Sequence, residues 1–286
     1  MLLFANASGT GRVEVLISEK ERLRFHNCVI QHLTTEHTRD SIGKLAEKTV
    51  HAVIKDYLSP DKGHQEVRLG RYVADIFDGR RVTEIQTAHF GLLRPKLSAF
   101  LRDYPVTVVL PLPHKKWIVW IDPETGERIK KNLSPVTGNV YDAFHEFYAI
   151  KQLMLEDLKK KQAFHFSCNR PSALDDDLSP FLSLRVLLID MEEYRLLDGW
   201  SADKKRGSHR YDRNPVGLCD TITLACLDDY KSLIPADTEE PFTVKGLAKQ
   251  LHVRKAKMSA CVNVLSGMGA IKRVENIGHA YAYIRG

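Results

Sequence analysis

The chain predicts a mixed α/β fold of the α+β kind, in which helices flank a mixed sheet and a small unit of helices and a hairpin follows at the C-terminal end. Three observations carry this. Short runs rich in Val, Ile, Tyr and Thr recur between residues 67 and 121 and again in 181–197, apolar residues at helical spacing separate them, and from Phe242 the pattern turns into two short helices and two strands. With 286 residues, 43% of them hydrophobic and 27% charged, the chain can bury a sizeable core and is neither a disordered nor a membrane composition. No apolar run approaches bilayer length and the first residues lack a basic start, so a cytoplasmic, intracellular protein is expected.

Met1 to Arg39 offers a short strand at Val13 to Ile17 and a helix or irregular arm at Glu21 to Leu33. Ile42 to Leu58 reads as an amphipathic helix capped by Asp40 or Ser41, with Glu47 sharing the stripe of Val50, Ile54 and Leu58. Val67 to Phe77 and Arg81 to Thr87 read as strands, joined at Asp78-Gly79 by a tight turn. With those two residues central, Asp75 falls opposite Val82 and Val73 opposite Glu84, which puts Asp75, Glu84 and Gln86 on one face. Asp75 and Glu84 are then diagonal neighbours, with alpha carbons roughly 7–8 Å apart. Gly91 to Leu101 has helical spacing begun or kinked at Pro95, and Val106 to Leu110 and Trp117 to Ile121 read as two short buried strands separated by Pro111 and Pro113.

Two carboxylates and an amide on one hairpin face are oxygen ligands of the type a hard divalent cation prefers. A solvated hairpin with flanking acids, and a Glu47 reaching out to water, are the simpler alternatives. The ordered set of a helix with Glu47, a strand with Asp75, and a strand with Glu84-Ile85-Gln86 resembles the PD-(D/E)XK nuclease superfamily over about Asp40 to Asp122. That resemblance implies a restriction-endonuclease-like mixed sheet, with Mg2+ (or Mn2+) held by Asp75, Glu84 and the Ile85 carbonyl, and Glu47 joining the site. Gln86 stands where the superfamily usually has a Lys. It can hydrogen-bond a water but supplies neither charge nor a proton acceptor. Lys96, Lys115 and Lys116 are candidates to replace that charge, and His89 and His114 to assist a phosphate, against the plainer reading of solvated lysines and surface histidines.

Asp122 to Gly126 is a turn and 128–139 is basic and punctuated by Pro and Gly, so the expected units are 1–122, 123–235 and 236–286. Within the second, Val140 to Leu158 reads as a long helix and Phe181 to Leu197 contains a strand. Between Trp200 and Pro215, Lys204, Lys205, Arg206, Arg210 and Arg213 lie among aromatics, a pattern that suits either a grip on a phosphate backbone or a solvated hairpin tip. In the third unit Thr243 caps a helix from Val244 to Leu251, and a second helix, Lys255 to Met268, ends at Gly269 before strands at 270–274 and 279–284. This order resembles the winged helix-turn-helix family over about Pro241 to Gly286. The resemblance implies DNA as partner, with Lys255, Ser259 and Asn263 facing the major groove and Arg254, Lys257, Lys272 and Arg273 near phosphates. A docking module that touches no DNA is the alternative.

The net charge of +6 fits an anionic partner. Five scattered cysteines without a C-x-x-C pair, and twelve histidines without H-E-x-x-H spacing, argue against structural zinc and a disulfide framework. The sequence therefore leads to the expectation of a magnesium-dependent DNA endonuclease, working as a homodimer or within a larger DNA-processing complex. A non-catalytic DNA-binding or scaffolding protein with a decayed nuclease fold is the competing class.

Overall fold

A computed structural model describes residues 17–35, 46–168, 181–197 and 207–286. The fold is mixed α/β. Two helices, α1 (Glu19–Thr35) and α2 (Ala46–Leu58), precede an antiparallel meander of β1 (Gln65–Leu69), β2 (Tyr72–Phe77) and β3 (Val82–Ile85). A short helix, α3 (Arg94–Phe100), then leads to β4 (Val106–Ile121), which runs parallel to β3. The hairpin partner of β4 is β5 (Arg128–Leu133); two helices, α4 (Phe144–Ala149) and α5 (Lys151–Cys168), follow, and β6 (Leu182–Leu196) and β7 (His209–Leu224) complete the sheet. The strand order is β1-β2-β3-β4-β6-β7, with β5 beside the far half of β4.

Around β3 and the first half of β4 the sheet buries both faces. On one, Phe25 and Val29 of α1 and Val53 and Ile54 of α2 meet Ile85, Val109, Leu187 and Ile189. On the other, Leu97, Phe100, Phe144 and Phe147 meet Val108, Leu110, Leu184 and Val186. After α6 (Leu227–Lys231), the C-terminal residues form β8 (Phe242–Thr243), α7 (Val244–Gln250), α8 (Lys255–Met268), β9 (Ile271–Ile277) and β10 (Ala280–Arg285), with a small sheet ordered β8-β10-β9. Thr243 Oγ1 caps α7 by accepting from the Gly246 N–H at 3.1 Å, and Gly269 ends α8 in the left-handed region at φ 79°, both as expected. Met258, Val262 and Leu265 of α8 join the same apolar cluster as Phe144 and Phe147, so this unit is docked on the sheet domain.

Several expectations are corrected. The single strand read over Val67 to Phe77 is two strands, because Gly70 at φ 60° takes the left-handed conformation that turns β1 into β2. The β2–β3 turn is two residues longer than expected: Phe77 pairs with Val82 and Ile76 with Thr83. The two short strands around Pro111 and Pro113 are one strand of 16 residues. Its prolines lie where β3 has ended and β5 has not begun, so no ladder donor is needed on that side. The boundary drawn at residue 122 falls inside the β4–β5 hairpin, and β6 and β7 from the expected second unit belong to the first sheet. The long helix over Val140 to Leu158 is a 3-10 turn followed by α4 and α5, broken at Ile150. The expected Val13–Ile17 strand, apart from Ile17, and the Asp40 or Ser41 cap lie outside the described residues. Among the described residues, no helix is long and apolar enough to cross a membrane.

One buried ion pair ties α5 to the sheet. Lys161 Nζ donates to Asp157 Oδ2 at 2.7 Å and to the carbonyls of Leu182 and Ala225 at 2.6 and 2.7 Å, while Asp157 Oδ1 accepts from the Leu182 N–H at 2.7 Å. Removing one partner strands a charge in an apolar cluster. Asp157→Ala is expected to lose about 3–5 kcal/mol of stability in urea unfolding, and Lys161→Met with Asp157→Leu together to lose far less.

Candidate functional site

The site grows from the β2–β3 ladder. The observed register pairs Ile76 with Thr83 and Phe77 with Val82, a shift of two residues that brings Asp75 level with Glu84 instead of diagonal to it. The two side chains reach across to one another's strands. Glu84 Oε1 accepts from the Asp75 N–H at 3.2 Å, and Asp75 Oδ2 accepts from the Ile85 N–H at 2.7 Å. Beyond them the Gln86 N–H donates to the Val109 carbonyl at 2.9 Å, which anchors the end of β3 to β4.

These groups line an open cavity of about 730 Å³ at the C-terminal end of β3. His51 and Lys55 enter it from α2, Glu66 from β1 and Lys96 from α3. His51 Nε2 lies 3.2 Å from Asp75 Oδ2, and Lys96 Nζ donates to Glu84 Oε2. Lys55, only 7% exposed, reaches Glu66 Oε1 at 2.6 Å. Glu66 achieves this with its backbone in the left-handed region at φ 54°, a conformation a non-glycine residue adopts at a cost of about 1–3 kcal/mol.

Electrostatically the two carboxyls differ. Glu84 is 1% exposed, and burial first, then the neighbouring Asp75 charge, push its carboxyl up to about 7 despite Lys96. Burial alone would also raise Asp75, but His51 and the Ile85 N–H more than offset it and hold that carboxyl below the usual range. The pair therefore carries crowded negative charge with oxygen donors only, a set whose chemistry fits a hard divalent cation. Among the described residues, no three His, Cys, Asp or Glu side chains are gathered to hold a metal by themselves. A cation here would take Asp75, Glu84, main-chain oxygen and water.

The other expected residues fall out as follows. Glu47 lies in α2, one turn before His51, and its side chain is outside the described residues. Gln86 lines the cavity with its amide Nε2 donating to the Ala88 carbonyl. Lys96 and Lys116 are ion-paired to buried glutamates and are not the solvated lysines of the plainer reading; Lys115 is exposed. His89 is exposed, and His114 Nδ1 donates to the Gly138 carbonyl at 2.9 Å. Lys204, Lys205 and Arg206 lie outside the described residues, and Arg210 does so by its side chain. The stretch expected as a loop up to Pro215 is strand from His209 onward, where Arg213 lies 3.5 Å from Glu193.

On α8, Lys255, Ser259 and the preceding Arg254 are exposed, but Lys257 is bonded to Asp142 and Asn263 Oδ1 accepts from Lys151 at 2.7 Å. The expected major-groove face is thus partly used to hold the rest of the chain. Lys272 and Arg273 are exposed on β9, with the Arg273 guanidinium 3.4 Å from the Tyr281 ring centre. The residues missed at sequence level are His51, Lys55 and Glu66. A signal existed for the first two, since Glu47, His51 and Lys55 recur every fourth residue along α2.

A family model described as a domain of unknown function, DUF8091, matches residues 48–161 and 178–225, more than half of the chain. The chain belongs to the DUF8091 family. The DUF8091 match runs through α2, the whole large sheet and α5, so the site lies inside it and the C-terminal unit outside. A Treponema pallidum (strain Nichols) relative whose printed name is "Uncharacterized protein" is 30% identical over 231 residues, covering 80% of this chain and 75% of its own. No solved structure matches.

The raised Glu84 carboxyl makes stability depend on pH. Its folded value lies above the ordinary 4.5, so the native state holds the extra proton between about 4.5 and 7 and stability falls as pH rises through that window. The expected loss is up to about 3 kcal/mol. Glu84→Gln is expected to flatten the dependence, read from urea midpoints between pH 5 and about 8; an unchanged slope in the variant would contradict the assignment.

Proposed function

We propose that the chain is a divalent-cation-dependent endonuclease acting on DNA, located in the cytoplasm. The observation that carries this is the pairing of Asp75 and Glu84 across β2 and β3 at the mouth of a cavity, with Lys96 beside them. The element order α2, β1-β2-β3, α3, β4, with β4 parallel to β3, supports the likeness to the PD-(D/E)XK nucleases. The order α6, β8, α7, α8, β9, β10 likewise supports a winged helix-turn-helix reading of the C-terminal unit.

In this reading Asp75, Glu84 and the Ile85 carbonyl hold Mg2+ or Mn2+, with Glu47 joining from α2. When bound, the ion supplies an acidified water and neutralises charge developing on the phosphate. His51 orients Asp75 by its 3.2 Å contact. Lys96, which donates to Glu84 at the cavity, would supply the positive charge that Gln86 lacks toward a phosphate oxygen. Gln86 offers its amide to a water once it turns away from Ala88. That present bond to Ala88 is what favours the second reading, a DNA-binding protein whose nuclease site no longer acts.

The test is cleavage of supercoiled plasmid and linear duplex with Mg2+, Mn2+ or chelator. Cutting is expected with metal only, abolished in Asp75→Ala and Glu84→Ala, and slowed on the order of 10²-fold in Lys96→Met with partial recovery in Lys96→Arg. No cutting of any substrate by the wild type would decide for the non-catalytic reading.

A further inference from the structure

Three strands of the sheet outrun the rest. The ladder of β3 with β4 ends at Ile85 and Val109, but β4 continues to Ile121, accompanied by β6, β7 and finally β5. Twelve further residues of β4 carry the sheet up to about 40 Å past the end of β3. The catalytic cavity lies at that same end, because Gln86 is anchored to Val109. The arm therefore starts at the cavity and leads away from it.

Side-chain alternation sorts the arm into two unlike faces. On one rung Asn132, Ile118, Glu193 and Arg213 stand side by side; on the next come Lys130, Trp120 and Arg195. Lys116, two residues before Ile118, joins that face. Glu193, 1% exposed, is its acid, and Lys116 at 3.1 Å, Arg195 at 2.5 Å and Arg213 at 3.5 Å all converge on it. Lys130 is exposed beside Trp120. Among the described residues, three cations thus meet one carboxylate and a fourth lies beside the indole. The opposite face is balanced: Lys131 bonds to Glu192 at 2.6 Å and Arg128 to the Tyr194 hydroxyl at 3.1 Å, next to Asp212.

The cationic face is also the face on which α2 lies. Met191, one alternation before Glu193, packs in the apolar cluster closed by Val53 and Ile54 of α2, whose His51 and Lys55 line the cavity. We propose that the face of the β4–β6–β7 arm bearing Lys116, Trp120, Lys130, Arg195 and Arg213 is a nucleic-acid binding surface that holds the phosphate backbone of the strand leading into the cavity. This rests on the endonuclease reading and gives it a substrate track. It also answers the engagement of Lys257 and Asn263 on α8, since backbone affinity then comes from the sheet. Cations spaced along extended strands suit a repeating phosphate, and Trp120 among them suits a base or sugar face.

The experiment measures fluorescence anisotropy of labelled single-stranded and duplex oligonucleotides with the full chain in chelator, over a series of salt concentrations. Lys116→Ala with Lys130→Ala is expected to weaken binding on the order of tenfold and to lower the slope of log affinity against log salt by about 2. Lys130→Glu, at an exposed position, gives the same direction without touching the Glu193 cluster, and Lys131→Ala on the opposite face leaves the slope unchanged. Equal slopes for the wild type and the Lys116→Ala, Lys130→Ala variant would overturn the proposal, as would binding by the wild type to anionic vesicles but to neither oligonucleotide. Asp75→Ala separates the two readings, because it loses cutting while keeping affinity; unchanged slopes in the arm variants beside that result sink the arm and leave the nuclease standing.

Discussion

Strand β4 is the member on which the rest of the molecule depends. It is hydrogen-bonded in parallel to β3 and β6 and antiparallel to β5, so it joins the meander, the arm and the middle of the chain into one sheet. Its own composition permits this. Val106, Val108, Val109 and Leu110 are buried and fill the sheet interior, while Pro111 and Pro113, which cannot donate to a ladder, lie between the end of the β3 ladder and the start of the β5 ladder. Through the Gln86 to Val109 bond the same strand fixes where β3 stops, and with it where the two carboxylates stand.

Much of this was legible in the residues. The class of fold, the helix carrying Glu47, the two acidic strands, the cap at Thr243 and the stop at Gly269 all follow from periodicity and local chemistry. Asp75 and Glu84 meet despite the longer turn, because a shift by two brings them level and each side chain accepts from the backbone of the other strand. What failed was non-local. Nothing in Arg128 to Leu133 announces that this basic, exposed stretch is the partner of Trp117 to Ile121, so local pattern alone places a domain boundary inside a hairpin. Lys96 departs from the solvated reading for a related reason. Whether Lys96 is solvated or paired depends on α3 folding back over Glu84, a contact between residues 12 apart in sequence.

The site is built on unequal acids. Asp75 is kept charged by His51 and a backbone N–H, whereas Glu84, held in the interior against that charge, titrates near neutrality. Lys96 partly relieves the conflict, and a divalent ion would relieve it further. Farther out the balance differs: the arm carries Lys116, Arg195 and Arg213 around a single buried acid, while the C-terminal unit spends Lys257 and Asn263 on contacts with Asp142 and Lys151. At the cavity the acids are each matched by Lys55, Lys96 or His51, whereas along the arm the cations outnumber the acid they surround.

The most direct measurement is anomalous X-ray diffraction from crystals soaked in Mn2+. The account predicts a peak within coordination distance of both the Asp75 and Glu84 carboxylates, with Lys96 drawn off Glu84. Crystals whose Mn2+ sites all lie elsewhere, with the Lys96–Glu84 pair intact, would contradict it.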